Sequence, residues 1–352
     1  MCGILGEFSL TNSLTPIDRF KSILKISKSR GPDESSIKSA SGKIQFGFNR
    51  LSILDLSKEA SQPVWSPSGR YLIVFNGEIY NHQKLRSDLG IVGETIKSHG
   101  DTASLVYCID RWGITNTIKK IEGMFSLAVW DVKKRRLSLA RDFAGIKPLF
   151  YGWKNSKFVF ASQYNQISNH PFFRNEKVNQ SVLKLYLEQH YIPPPFGILN
   201  NTFSVFPGEI VTVDIEGKLK RKKFWTFPEF HESTTNYINA EKTIENEIRQ
   251  SVREHLISDV PLGAFLSGGV DSPLICDYAK HYIPHDFNTF SLGSDSPIHD
   301  ETYLSKKYST ALNSIHHTVE MTAANSFQYV DRILAKAGEP IGDSSIIPTW
   351  KL

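Results

Sequence analysis

Hydrophobic positions change their rhythm twice along this chain of 352 residues. Up to about residue 165 they fall in short runs of β-branched, aromatic and aliphatic side chains bounded by Gly, Asp, Asn and Pro, which is the pattern of strands. Strands are predicted over Ile4–Leu10, Ile44–Ile53, Tyr71–Asn76, Phe125–Trp130, Leu137–Ala140 and Phe158–Ser162, with helical spacing at Ile17–Ser27 and Thr102–Trp112. Strands in runs with helices between the groups imply a layered sheet-and-helix domain. From His190 to about Tyr237 the chain is rich in Pro, Gly and Asn and reads as a connection carrying one hairpin, Glu209–Trp225. Ile244, Ile248, Val252 and Leu256 mark an amphipathic helix over Asn239–Ile257. After Pro261 the elements alternate: strand Leu262–Leu266, helix Pro273–Tyr282, strand Phe287–Leu292, helix Glu301–Ala311, strand Ser314–Val319, helix Ala323–Ala337. That alternation predicts an α/β domain with a parallel, doubly wound sheet. The expected division is 1–190, a connecting segment 191–237, and 238–352.

Composition narrows the class. Hydrophobic residues make up 40% and charged residues 22%, as in an ordinary soluble globular chain. No apolar run approaches the roughly 20 residues that span a bilayer, and no secretory signal opens the chain. The three cysteines, Cys2, Cys108 and Cys276, form no CxxC pair, which argues against a disulfide framework or zinc site and for a reducing cytoplasm. The net charge of +5 includes two basic runs, Lys133–Arg136 and Lys218–Lys223. Both sit at hairpins without a larger basic face, so no nucleic-acid partner is expected; nor is a membrane.

Two places carry chemistry. The first is Cys2. With Met1 removed, one residue holds both a thiol and a free α-amine, whose ordinary pKa of roughly 8 lets it act as a base. On its own Cys2 also suits a small apolar position beside a first strand. The second is Ser267-Gly268-Gly269-Val270-Asp271-Ser272, a Gly-rich turn between a strand and a helix. Such a turn aims backbone N–H groups and the helix dipole at one spot, a cradle for phosphate. Asp271 is a candidate Mg2+ ligand. The string is neither a Walker A loop nor GxGxxG, and two glycines also suit a plain strand–turn–helix connection.

Ser-Gly-Gly-Val-Asp-Ser resembles the pyrophosphate loop of ATP pyrophosphatases that form acyl adenylates. With the opening Cys2-Gly3-Ile4, the chain resembles the glutamine-dependent asparagine synthetase family. Further strings agree in order: Arg50-Leu51-Ser52-Ile53, Asn76-Gly77-Glu78-Ile79-Tyr80-Asn81, Gly100-Asp101-Thr102, Ala140-Arg141-Asp142, Lys147-Pro148-Leu149-Phe150-Tyr151, Phe160-Ala161-Ser162, Asp259-Val260-Pro261, Glu339-Pro340 and Asp343-Ser344-Ser345. The resemblance implies an N-terminal-nucleophile hydrolase fold, an α+β αββα sandwich, followed by the α/β ATP-pyrophosphatase domain. It implies that Cys2 attacks the side-chain amide of glutamine, with Asn76 and Gly77 as oxyanion hole. Arg50, Leu51, Ser52 and Ile53 would bind glutamine, Arg50 taking the α-carboxylate, and Asp101 and Glu78 would hold its α-ammonium. It implies ATP against Leu266, Leu292 and Ser267–Ser272, and aspartate as the carboxylate amidated to asparagine. Gln163 and Ala103 depart from the family pattern. Members of the family continue past Leu352, so the synthetase half is expected to be incomplete. The expected partners are a second copy in a homodimer or a protein that supplies the missing segment. Two alternatives remain: a non-catalytic paralogue that binds glutamine, ATP or a full-length homologue, and an amidotransferase for another carboxylate.

Overall fold

The computed structural model describes residues 1–91, 98–231, 235–283, 286–298 and 300–352. Residues 232–234 of the expected connecting segment therefore lie outside the described residues. Contacts divide the chain into two units, Met1–Pro228 with Gly338–Ile341, and Glu229–Ala337 with Gly342–Leu352.

The first unit is built on twelve described strands. They are β1 (Gly3–Ser9), β2 (Glu34–Ala40), β3 (Ile44–Arg50), β4 (Val64–Trp65), β5 (Tyr71–Ile79) and β6 (Gly123–Asp131). β7 (Arg136–Arg141), β8 (Phe150–Lys154), β9 (Lys157–Ala161), β10 (Thr202–Ser204), β11 (Glu209–Asp214) and β12 (Leu219–Lys223) follow. They form two antiparallel sheets, β10-β8-β9-β1-β3-β2 and β12-β11-β7-β6-β5-β4. Helices of this unit are α1 (Ile17–Leu24), α2 (His82–Asp88), α3 (Asp101–Trp112), α4 (Ile114–Thr117), α5 (Tyr164–Ser168) and α6 (Gln180–Gln189).

Alternation along the strands makes four layers. Ile4, Phe8, Phe46 and Phe160 of one sheet meet Leu72, Val74, Trp130 and Val211 of the other in the central core. On the outer face of the first sheet, Leu5 and Val159 pack with Phe20 and Ile23 of α1 and Ile167 of α5. On the outer face of the second, Ile73 and Phe75 pack with Leu105, Cys108 and Ile109 of α3. Strands buried on both faces read as continuous apolar runs, which is why most of them are visible in the sequence.

Several boundaries differ from expectation. The strand expected over Ile44–Ile53 ends at Arg50, because Leu51 leaves the sheet to meet Cys2. The helix expected to Ser27 stops at Leu24 and continues as a 3-10 turn over Lys25–Arg30. β2, with the polar sequence ESSIKSA, has no apolar signature because it is a largely exposed edge. The expected hairpin exists as β11 and β12, but β11 pairs with β7 and extends the second sheet. Lys220, Arg221, Lys222 and Lys223 thus lie on an edge strand, where charge discourages further pairing.

The second unit contains α7 (Tyr237–His255), β13 (Gly263–Phe265), α8 (Asp271–Tyr282), β14 (Asn288–Ser294), α9 (Thr302–Leu312) and β15 (Ile315–Met321). The three strands are parallel and follow chain order, β13-β14-β15. The reversal of direction that defines a doubly wound sheet is not among them. Val252, Leu266, Cys276, Ala279 and Phe287 form the core. The helix expected over Ala323–Ala337 is broken into α10 (Ala323–Ser326), a 3-10 turn and α11 (Val330–Ala337), and α12 (Ile346–Lys351) follows. No described helix is long and apolar enough to cross a membrane.

Candidate active site

Cys2 immediately precedes β1, and its Sγ accepts the Leu51 N–H at 3.4 Å. Its carbonyl accepts from Arg30 Nε at 3.1 Å. A pocket of about 520 Å³, counted to its open mouth, surrounds it. Cys2, Arg50, Leu51, Ile53, Asn76, Gly77, Glu78 and Asp101, scattered over 100 positions of sequence, all line this pocket. Ser52 does not; its N–H donates to Asp33 Oδ2 at 2.7 Å. Lys147, Gln62 and Thr102 line the pocket too, and no role for them was legible in sequence.

β5 supplies the decisive geometry. β4 covers only Leu72 and Ile73 of β5, so the strand's second half has an open edge. Alternate N–H groups face that edge. Phe75 N donates to Gln62 Oε1 at 2.7 Å, and Ile79 N donates to Asp101 Oδ2 at 2.9 Å. Gly77 lies between them with the same parity. Its partner across the ladder, Phe125, directs its own N–H and C=O to Asp142, away from Gly77. The Gly77 N–H therefore faces the pocket, and it has no partner among the described residues. Only glycine fits here, because a Cβ would stand 2.1 Å from the Met124 carbonyl oxygen.

Asn76, next along the strand and 1% exposed, makes one long contact, Nδ2 to Ser126 Oγ at 3.5 Å. Its Oδ1 has no hydrogen-bond partner among the described residues. Rotating the amide by half a turn lets Oδ1 accept from the Ser126 hydroxyl and frees the NH2. A backbone N–H and a side-chain amide on adjacent residues then form a donor pair for an oxyanion.

The charges around Cys2 are mixed. Arg50 is held by the carbonyls of Asp55 and Ser57, with Glu34 at 3.8 Å, leaving further donors of its five for a ligand. Burial pushes the Asp101 carboxyl up to about 6, against the N–H groups of Ile79 and Thr102. Burial also raises the Cys2 thiol, opposed by the Leu51 N–H, the N-terminal amine and Arg50. The amine, on Met1 in this chain, is lowered by burial, with Lys147 and Arg30 acting in the same direction.

The second site is differently made. Ser267 to Ser272 connects β13 to α8. Ser267 N donates to Ser272 Oγ at 2.8 Å, and Gly269 N donates to Ser267 Oγ at 3.2 Å. Gly268 N donates to Glu301 Oε2 at 2.8 Å, so a carboxylate oxygen sits where the cradle would take a phosphate oxygen. Val270 and Asp271 are exposed at the start of α8. The Leu266 side chain belongs to the core, while Leu292 alternates away from the buried Thr289 and Ser291. The two side chains do not share a face, and Leu266 is buried, with its N–H donating to the Phe290 carbonyl at 2.8 Å. Among the described residues no group of three His, Cys, Asp or Glu gathers as a cation site. A lone Asp271 fits Mg2+ carried on nucleotide phosphates, where one or two carboxylates are usual.

Residues 1–225 match the family described as glutamine amidotransferase domain, and residues 243–352 match asparagine synthase. The chain belongs to the glutamine amidotransferase domain family, which matches 225 of its 352 residues. Asparagine synthetase [glutamine-hydrolyzing] 1 of Bacillus subtilis is 29% identical over 354 residues, covering 99% of this chain and 55% of that protein. The putative asparagine synthetase 2 of Methanocaldococcus jannaschii is 28% identical over 375 residues, covering 100% of this chain and 71% of that protein. The chain thus spans about half the length of the Bacillus synthetase. Among solved structures, a glutamine phosphoribosylpyrophosphate amidotransferase from Bacillus subtilis overlays with a TM-score of 0.46 at 16% identity, covering 90% of this chain and 65% of that one.

Proposed function

We propose that this member of the glutamine amidotransferase domain family hydrolyses glutamine at Cys2 and delivers the ammonia to an ATP-activated carboxylate. The observation that carries the first half is the unpaired Gly77 N–H beside the Asn76 amide in the Cys2 pocket. With Met1 removed, the Cys2 α-amine takes the thiol proton and Sγ attacks Cδ of the glutamine side chain. The negative charge that forms on the amide oxygen falls to Gly77 N–H and Asn76 Nδ2. One such donor is typically worth about 3 kcal/mol in the transition state. The C–N bond breaks, the α-amine returns its proton to the leaving nitrogen, and ammonia departs. Water then hydrolyses the thioester to glutamate. Arg50 pairs with the α-carboxylate, and Asp101, with Glu78, holds the α-ammonium.

In the second unit, Ser267–Ser272 and the N-terminal turn of α8 take the pyrophosphate of ATP, with Asp271 towards its Mg2+. Leu292 lies towards the adenosine, with Leu266 in the core immediately after β13. Aspartate is the acceptor that the family names favour, and the free state of Cys2, Cys108 and Cys276 suits a cytoplasmic setting. The experiment is glutamate release from glutamine by the purified chain and by Cys2→Ala, with pyrophosphate release measured for aspartate and other carboxylates. Glutamate release that survives Cys2→Ala would refute the glutaminase assignment. Pyrophosphate release supported by a different carboxylate would refute aspartate.

A further inference from the structure

Lys147 is 5% exposed, yet its ammonium has no hydrogen bond or ion pair among the described residues. The stem of the side chain is buried while the ammonium opens on the pocket, and a dedicated scaffold holds it there. The fully buried Asp142 carboxylate accepts four backbone N–H groups: Phe125 at 3.2 Å, Ala144 at 3.1 Å, Ile146 at 2.8 Å and Lys147 at 3.0 Å. Arg141 clamps the same loop from the other side, Nε to the Lys147 carbonyl at 2.9 Å and Nη2 to the Gly145 carbonyl at 2.7 Å. Gly145 makes the turn with a left-handed φ of 70°. The loop carries the Lys147 side chain to the wall of the pocket that holds Cys2.

We infer that Lys147 is a positioning residue of the glutaminase centre, whose ammonium keeps the N-terminal amine unprotonated and the Cys2 thiol ionisable near neutral pH. The inference rests on the glutaminase reading above. A cation disfavours a second positive charge on the amine and favours the negative charge on sulfur, so both effects act in one direction. The other charges around the pair are Glu78 on β5 and Asp101 on α3, and Arg50 on β3 and Arg30 after α1. Arg50 and Arg30 already bond carbonyl oxygens, and the Asp142 oxygens are occupied by N–H groups. Among the described residues Lys147 makes no hydrogen bond or ion pair, and the Glu78 carboxylate is the charge that acts on it most.

The test compares the full chain, its Met1 removal checked by intact mass, with Lys147→Met and Lys147→Arg. Alkylation of Cys2 by iodoacetamide is followed against pH alongside kcat/KM for glutamine; Cys108 and Cys276 are buried. The thiol and amine titrate as a coupled pair, so the midpoint belongs to both. In Lys147→Met the midpoint should rise by about one unit, and kcat/KM at pH 6.5 should fall roughly tenfold. Lys147→Arg should stay close to the parent. An unmoved midpoint in folded Lys147→Met, or a Lys147→Arg that behaves like Met, overturns the inference. Lys147→Gln replaces Met if the Met variant does not fold. Glutamine hydrolysis with an unmoved midpoint defeats only this inference. A parent that alkylates at Cys2 but releases no glutamate defeats the glutaminase reading instead.

Discussion

The Cys2 pocket and the Ser267–Ser272 loop are both built from backbone donors, but they hold them differently. In the pocket, Gly77 N–H and the Lys147 ammonium are unpaired and point inward from rigid sheet and loop. In the loop, Ser267 and Ser272 satisfy each other, and Glu301 occupies the Gly268 N–H. The first site is ready for charge to develop in it, which is what preorganised stabilisation requires. The second must exchange internal bonds for ligand bonds. The surroundings differ in the same sense. The first unit buries sheet faces on both sides, whereas Phe265 of β13 is 63% exposed and Ile315 of β15 is 48% exposed.

That contrast is most sharply broken at the nucleophile. Cys2→Ala should lower glutamine turnover by roughly 10⁴-fold or more, as loss of a nucleophile does elsewhere. Its nucleotide affinity, measured by calorimetry, should be unchanged. Asn76→Ala removes one of the two oxyanion donors and should lower kcat by about 10²–10³ with little change in KM. An equal loss in KM would mean that Asn76 holds ground-state glutamine instead.

Asp101 yields a pH prediction with a definite sign. Its carboxyl sits at about 6 in the free protein and must ionise to receive the α-ammonium. Catalytic efficiency therefore falls as pH drops through about 6, by roughly tenfold between pH 7 and 5. The limb in kcat should lie lower, because the bound ammonium favours the ionised form. Asp101→Asn should raise KM and abolish this limb; a limb that persists assigns it to another group. The smallest effect is expected at the loop. Glu301→Ala removes an exposed carboxylate worth about 1 kcal/mol or less, so affinity for a nucleotide triphosphate should gain fivefold at most. A loss of affinity would make Glu301 part of the binding site rather than its placeholder.

Much of this was legible in the chain. Strands buried on two faces announce themselves, and Cys2, Asn76-Gly77 and the Gly-rich loop carry their chemistry in adjacent residues. What was hidden has particular causes. β2 is an exposed edge, so ESSIKSA has no reason to be apolar. The resemblance puts Leu266 and Leu292 together against the adenosine, but strand alternation turns their side chains to different faces. Lys147 carries no role that the sequence shows, because a lysine shows its burial only when a fold surrounds it.

The sequence by itself determined the amidotransferase family, the loop and the order of elements and singled out Cys2 as the candidate nucleophile, since each rests on residue type and spacing along one stretch of chain. Tertiary structure alone decided which hydrogen bonds remain unmade. Whether Gly77 N–H is free depends on where β4 ends and on Phe125 turning to Asp142. Whether Lys147 is unpaired depends on a loop folded around one buried carboxylate. Those are properties of strand edges and of neighbours brought together from distant positions, and no local pattern encodes them.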